Sequence, residues 1–301
     1  MQAPKACKRN LCDVGICFAK TDPSAVLECV RCPLSTSMSW AASSNVLTCL
    51  EEINIEEYYD DRKDDSTIWY RSIYPDMKLI HPEELDPDVS LGLSYRGLVV
   101  DPNVFLPWAF TTLQSMGVDF VRQEVVDFRH AKEITGAEIL VNASGLGARR
   151  LGPDPNVHGV RGQTIFVNCT TNDEQCYKRA VIRQGSQYTY AIPRQSSRGI
   201  ILGGVSEQHN VSTEVDPSTR LDIMKRVNRM AKGIFDWVNL EKDIRLDIVG
   251  FRPARYGGMR LEKEGDVIHA YGVGGLGYLY AFGVAEQVKL LATAGKIPAK
   301  L

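Results

Sequence analysis

The chain has 301 residues, of which 44% are hydrophobic and 24% are charged, and its formal net charge is −2. A chain of this length can bury a large core and form two domains. The charge is balanced and forms no basic stripe, so nothing favours nucleic-acid binding. No apolar run reaches the ~18 residues that a membrane span requires. We therefore expect a globular two-domain protein.

The beginning of the chain is rich in cysteine. Six of the eight cysteines lie in the first 49 residues: Cys7, Cys12, Cys17, Cys29, Cys32 and Cys49. Cys29 and Cys32 have the spacing of half a zinc site, but a second tight pair is missing, so we expect no metal. The first residues contain no sustained apolar segment, so we expect no secretory signal. Disulfides are not expected either, and the thiols are interpreted as free or buried.

Further along, hydrophobic patterns and turn residues predict the regular elements. The expectations in chain order are a solvated loop at 60–65, a helix at 102–116 ending at Gly117, short strands at 118–121 and 125–128, a buried parallel-type strand at 138–141, strands at 164–167, 188–192 and 200–202, and helices at 217–238 and 278–291. The sequence therefore predicts an α/β protein.

A turn with small residues follows the strand predicted at 138–141. Ser144 and Gly145 stand at its carboxyl end, and Gly147 follows. Open α/β sheets bind cofactors at the carboxyl ends of their strands. The glycines would let the backbone pass close to a dinucleotide.

The stretch from Gly250 to Gly283 carries the strongest chemical signal. Arg252 and Arg255 flank Pro253, which limits ladder pairing and predicts an edge strand or a strand end. Arginine can meet a carboxylate with two hydrogen bonds. Glycines at 272, 274, 275 and 277 then precede a helix whose N-terminal amides could face a planar ligand. The two features predict adjacent sites for an anion and for a planar ligand, although a glycine-rich turn alone is weak evidence.

Several blocks of this sequence, in order, resemble the FAD-dependent D-amino-acid oxidase family, which includes the D-aspartate oxidases. The blocks cover roughly residues 67–291. They are WYRSIYPDMKLIHPEEL from Trp69, VNASGLGARRLGPDP (Val141–Pro155), VRGQT (Val160–Thr164), YAIPR (Tyr190–Arg194), LGG (Leu202–Gly204), GFRPAR (Gly250–Arg255) and HAYGVGGLG (His269–Gly277).

The resemblance implies an α/β fold with two domains. One is a Rossmann-like FAD-binding domain, incomplete at its N-terminus. The other is a substrate-binding domain with a large mixed β-sheet. The expected FAD-binding domain comprises residues 1–50, of which 1–40 are atypical, with 97–160 and 245–301; the expected substrate-binding domain comprises 51–96 and 161–244.

The resemblance further implies an enzyme that oxidises a D-amino acid to an imino acid and then a 2-oxo acid, with O2 reduced to hydrogen peroxide. FAD would accept a hydride from Cα. Arg252 and Tyr190 would bind the substrate carboxylate, the Gly275 carbonyl would accept from the amine, and Tyr188 would be a second active-site tyrosine. The residues expected to contact FAD are Ser144, Gly145, Gly274, Gly277, Tyr278 and Leu279. Arg161 to Gln163 are expected either to be structural or to contact a ligand, and His269 is expected to be a satisfied polar group.

Substrate preference and completeness stay open at this stage. A neutral D-amino acid is the first expectation, and a D-aspartate oxidase would need an extra cation, for which Arg183 and Arg194 are candidates. The family's strand–GxGxxG–helix element is missing from the beginning of the chain. An incomplete gene model, a divergent isoform or a non-catalytic relic that no longer binds FAD would each explain this.

The last three residues, Ala299, Lys300 and Leu301, resemble a peroxisomal address. An enzyme that releases hydrogen peroxide has a reason to carry one, so we expect the peroxisomal matrix and a peroxisomal import receptor as partner. The family resemblance also implies a homodimer, by analogy alone.

Overall fold

A computed structural model describes residues 50–169 and 175–294. The cysteine-rich segment and the residues 299–301 lie outside the described residues, so their interpretation stays a prediction. The described part of the chain holds no group of three or more His, Cys, Asp or Glu side chains that could bind a metal ion. Within the same residues no helix is both long enough and apolar enough to cross a membrane.

Strands predominate in the first part of the chain and alternate with helices in the rest. The strands are β1 (Leu50–Tyr59), β2 (Lys78–Leu79), β3 (Leu91–Val100), β4 (Leu140–Asn142), β5 (Val157–Asn168), β6 (Arg179–Gln184), β7 (Thr189–Arg194), β8 (Gly199–Gly203), β9 (Glu207–Gln208), β10 (Ile244–Arg255), β11 (Arg260–Glu264) and β12 (Val267–Tyr271). The helices are α1 (Pro102–Ser115), α2 (Phe128–Thr135), α3 (Ala148–Leu151), α4 (Gln175–Lys178), α5 (Pro217–Met230) and α6 (Gly277–Thr293).

Nine of the described strands form one large sheet. Its order is β10-β5-β8-β7-β6-β1-β3-β2, with β9 paired to β5. β1 pairs with β6 in parallel, whereas β1 with β3 and β6 with β7 are antiparallel, so the sheet is mixed as predicted. β10 stands at the edge of this order, which agrees with the edge position predicted from Pro253.

A second, three-stranded sheet has the order β11-β12-β4. β4 and β12 run parallel, with Leu140 opposite Val267 and Asn142 opposite His269. The carboxyl ends of both strands therefore lie at the same edge of this sheet, which is where a cofactor site is expected in an open α/β sheet.

The chain divides into two compact units. Within the described residues, the first unit comprises 50–105, 161–169 and 175–250, and the second comprises 106–160 and 251–294. The first contains the large sheet's main core, in which α5 packs on β5, β7 and β8 through buried side chains: Ile165, Val167, Ala191, Ile200, Leu202, Ile223, Met224 and Val227. The assignment of units to cofactor and substrate stays a prediction.

Three local expectations were wrong. Residues 118–126 form no strand, because an alternating pattern needs a partner strand and none pairs there within the described residues. Phe128 begins α2 instead, capped by the Asp127 carboxylate, which accepts from the His130 amide at 2.7 Å. The helix from Pro217 ends at Met230, eight residues before Val238, since Lys232 has a left-handed φ of 52°.

The third error concerns the acidic run at 60–65. Asp60 is largely buried: its carboxylate pairs with Arg183 and accepts hydrogen bonds from the Ser186 amide and hydroxyl. The rest of the run behaves as a loop, with Asp61 and Asp64 exposed. One residue of this charge run, Asp60, therefore belongs to a structural ion pair with Arg183.

Candidate active site

Tyr190 occupies a confined place in the first unit. It lies in β7, opposite Ile182 of β6 on one side and Gly203 of β8 on the other. The residue is 8% exposed. A Cβ on Gly203 would overlap the tyrosine ring, and one on Gly204 would lie 3.1 Å from its hydroxyl. The glycine pair therefore makes room for the ring, which explains the Leu202–Gly204 block physically.

Tyr188 lies just before β7 and is adjacent to Tyr190. The two ring centroids are 5.1 Å apart and the planes are tilted by 58°. Tyr188 is 37% exposed, so it is far more open to solvent than its neighbour. The structure thus brings the two predicted tyrosines together.

Arg183 faces away from Tyr190. Paired residues in a sheet share a face, and Arg183 pairs with Thr189, whereas Tyr190 pairs with Ile182. The Arg183 Nη2 donates to the Asp88 carboxylate at 2.9 Å and to Asp60 at 3.3 Å. Arg183 is therefore part of an ion-pair network and does not point toward a ligand near Tyr190.

A cavity of about 200 Å³ lies on that opposite face, between β6, β7 and α5. Four cations line it, and three of them are paired with carboxylates: Arg183 with Asp60 and Asp88, Arg226 with Asp222, and Arg229 with Asp88. The residues that line this cavity include none of the predicted substrate residues Tyr188, Tyr190, Arg252 and Gly275.

The second candidate cation, Arg194, lies on the same strand face as Tyr190 but four residues further along β7. That separation is roughly 13 Å at the usual rise of a strand. Neither arginine suggested for an acidic substrate is therefore placed beside Tyr190.

Arg161 and Gln163 have a structural role. Arg161 is 2% exposed, and its guanidinium donates to the Ser212 and Glu214 carbonyls at 2.8 and 2.7 Å. Gln163 donates to the Asp216 carbonyl at 2.7 Å. These bonds hold the segment that leads into α5, so of the two roles expected for this block the structure provides the structural one.

In the second unit, two tight turns follow the parallel strands β4 and β12. Gly145 has a φ of 58°, and Gly272 and Gly274 have φ values of 85° and 60°. Only glycine adopts these conformations without strain. The Ser144 hydroxyl donates to the Asn142 side chain at 2.6 Å, which fixes the first turn and leaves the backbone of Gly145 beside Pro253.

Arg252 lies beside the second turn. A Cβ on Gly275 would be 3.3 Å from the Arg252 Cδ and 3.6 Å from its Nε, so the half-buried arginine runs directly past this glycine. An isolated bridge between Ala254 and Val273 holds the strand and the turn together. The structure therefore unites the predicted carboxylate-binding arginine with the predicted amine-binding carbonyl.

The N-terminus of α6 is suited to an electron-rich ligand. Its amides receive no side-chain cap, and Tyr278 and Leu279 are each 46% exposed. The residues Gly272–Gly277 also have G-x-G-x-x-G spacing and stand between β12 and α6. Uncapped amides and glycine turns at one sheet edge are features that suit FAD.

Sequence reasoning also missed how Arg255 acts. Its Nε donates to Asp154 at 2.8 Å, and the Tyr271 hydroxyl donates to the same carboxylate at 2.9 Å. Burial would raise the pKa of Asp154, but these bonds and the Asn156 amide together hold it below its ordinary value. Arg255 is thus structural, whereas its neighbour Arg252 is the candidate ligand-binding residue.

His269 is a satisfied polar group, as expected. It is 2% exposed, its Nδ1 lies 3.3 Å from the Asn142 amide nitrogen, and its Nε2 lies 3.4 Å from a Glu264 oxygen. Burial, assisted by the nearby Arg260 charge, lowers its pKa.

Comparisons with known proteins find sequence similarity over most of this chain. A family model described as FAD dependent oxidoreductase matches residues 46–290. A D-amino-acid oxidase of Schizosaccharomyces pombe is 29% identical over 244 residues, covering 78% of this chain and 69% of the relative. A D-aspartate oxidase of Talaromyces thermophilus is 28% identical over 235 residues, covering 75% and 60%. The chain thus spans roughly two thirds of these relatives' length.

The fold has counterparts among solved structures. A glycine oxidase from Geobacillus kaustophilus superposes with a TM-score of 0.66 over 94% of this chain and 83% of that chain, at 16% identity. At this identity the likeness concerns the fold alone.

Proposed function

Because the chain belongs to the family of FAD-dependent oxidoreductases, we propose that it oxidises neutral D-amino acids. The α-amino acid loses two electrons and two protons to become an imino acid, O2 takes them up to give hydrogen peroxide, and water converts the imine into a 2-oxo acid and ammonia. The observation that carries the proposal is Arg252 beside Gly275 at a glycine-rich turn. The D-configuration rests on the named relatives.

The two polar ends of an amino acid would bind to this pair. The Arg252 guanidinium offers two parallel donors to the substrate carboxylate. The Gly275 carbonyl accepts a hydrogen bond from the amine, and the absence of a side chain at 275 lets Arg252 pass this close. The family resemblance implies that the Tyr190 hydroxyl would also donate to a substrate carboxylate. Two fixed contacts orient Cα, which is the main task of the protein when a cofactor carries the chemistry.

FAD, when bound, supplies the two-electron acceptor and the route of the electrons to O2. The amides of Gly277, Tyr278 and Leu279 would hold its electron-rich ring edge, since the positive end of the α6 dipole lies there. Ser144 and Gly145 would contact it through the backbone of the β4 turn. The chain's own contribution is thus binding, orientation and electrostatic stabilisation.

The surroundings of Tyr190 favour a neutral substrate side chain. Ile182 shares its face and stands directly opposite, whereas Arg183 is paired with two carboxylates on the other face. An acidic side chain would lose its hydration, and neither candidate arginine of the described residues lies beside Tyr190 to compensate its charge. We therefore expect D-alanine to be oxidised far better than D-aspartate.

The test is the absorbance of the purified protein after FAD is added, followed anaerobically as D- or L-amino acids are supplied. Bleaching of the flavin band by D-alanine but not L-alanine, with hydrogen peroxide formed once O2 is admitted, is the expected result. Faster bleaching by D-aspartate would reverse the substrate preference. Protein that retains no FAD would overturn the proposal and favour an incomplete or non-catalytic chain.

A further inference from the structure

Arg226 of α5 makes a set of bonds that the proposed mechanism does not use. Its side chain is 14% exposed, and its Nε is paired with Asp222 at 2.8 Å. The remaining nitrogens turn to the sheet: Nη1 donates to the Tyr188 carbonyl at 3.1 Å and to the Thr189 hydroxyl, and Nη2 donates to the Gly204 carbonyl at 3.1 Å. One guanidinium therefore joins the helix to the ends of two strands.

These acceptors lie on both sides of Tyr190. Thr189 precedes it in β7, and Gly204 follows Gly203, the residue paired with Tyr190 in β8. The Gly204 amide also donates to the Tyr188 carbonyl at 3.3 Å, so the two strand ends are linked to one another as well as to Arg226. The tyrosine ring lies against Gly203 and Gly204. A shift of either strand end would therefore move the tyrosine hydroxyl.

The guanidinium group of Arg226 is suited to binding several acceptors at fixed positions. A guanidinium is planar and presents five donors in a fixed fork, whereas a lysine offers one flexible ammonium. The bonds to two backbone carbonyls are charge-assisted, so each is stronger than a bond between neutral groups.

We propose that Arg226 is a positioning residue, which holds the Tyr188–Tyr190 segment and Gly204 so that the Tyr190 hydroxyl meets the substrate carboxylate. This rests on the proposed function, because it assigns Tyr190 to substrate binding. Arg226 does not touch the substrate itself and acts through the two strand ends.

Arg220, on the same helix, provides a matched control. It pairs with Asp247 of β10 through Nε at 3.0 Å and through Nη2. Among the described residues it does not donate to the Tyr188 or Gly204 carbonyl, as Arg226 does. Removal of either arginine loses a partly buried ion pair on the first unit. Only removal of Arg226 releases the Tyr188 and Gly204 carbonyls.

The experiment compares Arg226→Met, Arg226→Lys and Arg220→Met in the full chain with FAD added. For Arg226→Met we expect the KM for D-alanine to rise about tenfold or more, because Tyr190 loses its position for the carboxylate. Its kcat and its FAD affinity are expected to stay within about threefold of wild type. The KM of Arg226→Lys is expected to lie between those of the wild type and Arg226→Met. Arg220→Met is expected to retain the wild-type KM.

Amide hydrogen exchange is a second measurement, which does not depend on activity. The Gly204 amide and the 188–190 segment are expected to exchange faster in Arg226→Met than in wild type, and at the wild-type rate in Arg220→Met. An active Arg226→Met protein with unchanged KM overturns the positioning role alone, as does an equal KM effect in Arg220→Met. A wild-type protein that binds FAD but oxidises no D-amino acid overturns the proposed function and this role together. If Arg226→Met fails to fold, a wild-type KM in Arg226→Lys overturns the proposal.

Discussion

Tyr190 of the first unit and Arg252 of the second, each proposed to contact a substrate, are held in place by different means. Tyr190 stands in the middle of a sheet, with paired strands on both sides and a ring fitted over two glycines. Arg252 stands near the end of an edge strand, next to a turn whose path depends on left-handed glycines. Side-chain packing fixes the first residue, and backbone conformation fixes the second.

One helix of each unit shows a difference in side-chain burial. In the first unit, α5 buries Ile223, Met224, Val227 and Met230 against the large sheet. In the second unit, the fully described helix α6 has no buried side chain, and Leu276 and Leu290 are 47% and 53% exposed. Burial is the main source of folding free energy. Truncation of an apolar side chain should therefore reduce the free energy of unfolding more in α5 than in α6.

The largest expected effect is on catalysis. Arg252→Met removes the bidentate partner of the substrate carboxylate, so kcat/KM for D-alanine should fall by about 10³-fold, which corresponds to roughly 4 kcal/mol. The melting temperature should change little. Arg255→Met, three residues along the same strand, is the control. It removes the arginine that forms an ion pair with the buried Asp154, so stability should fall. The folded enzyme should keep most of its activity. A reversal of these two outcomes would exchange the roles of the two arginines.

A comparison of two leucine-sized side chains tests the difference between the cores. Ile223→Ala opens a cavity in the first unit, where the residue is 0% exposed, and should lower the free energy of unfolding by about 2–5 kcal/mol. Leu290→Ala in α6 should change it by less than about 0.5 kcal/mol. Urea denaturation measures both. An equal loss in the two variants would show that the α6 surface is covered in solution.

Local sequence patterns and the family resemblance predicted several elements of the fold and part of the candidate site. The helices α1 and α6, the parallel strand β4 and the approach of Arg252 to Gly275 follow from hydrophobic spacing, turn glycines and the ordered blocks. These features depend on residues close together in the sequence or on motifs that keep their context.

The failures involve partners far apart in the sequence. Arg183 reaches a carboxylate 123 residues away, and Arg255 reaches one 101 residues away. No local pattern specifies which carboxylate an arginine meets, because that depends on how the strands are arranged. The strands expected at 118–128 failed for the same reason, since alternation predicts a strand only where a neighbour pairs with it.

The turns of the second unit can be tested by adding a single methyl group. Gly272→Ala would place a Cβ 2.8 Å from the Arg255 Cβ at a φ of 85°, so we expect a loss of about 2–4 kcal/mol in stability and weaker FAD binding. Gly117→Ala has the same left-handed conformation, with a φ of 84°, but no atom within 4 Å of the new Cβ. It should lose only about 1–2 kcal/mol and keep its FAD affinity. Equal FAD affinities in the two variants would argue against a cofactor contact at the 272–277 turn.

The smallest expected effect is a pH dependence located at His269 in the second unit. Burial, with Arg260 nearby, holds its pKa below the ordinary value of about 6.5, although Glu264 and Glu262 oppose this shift. Between the folded and the unfolded pKa, the unfolded chain binds a proton at His269 that the folded chain does not bind. Stability should accordingly decrease as pH falls below about 6.5 and level off beneath the folded pKa, with a slope under about 1.4 kcal/mol per pH unit.

His269→Gln should flatten this part of the stability curve, since glutamine keeps a polar group between Asn142 and Glu264 but does not titrate. The wild-type protein, measured over the same pH range, is the comparison. Urea denaturation between pH 5 and pH 7.5 would measure both. A slope that survives in His269→Gln would assign the titration to another group and remove His269 as the pH-sensitive element of the second unit.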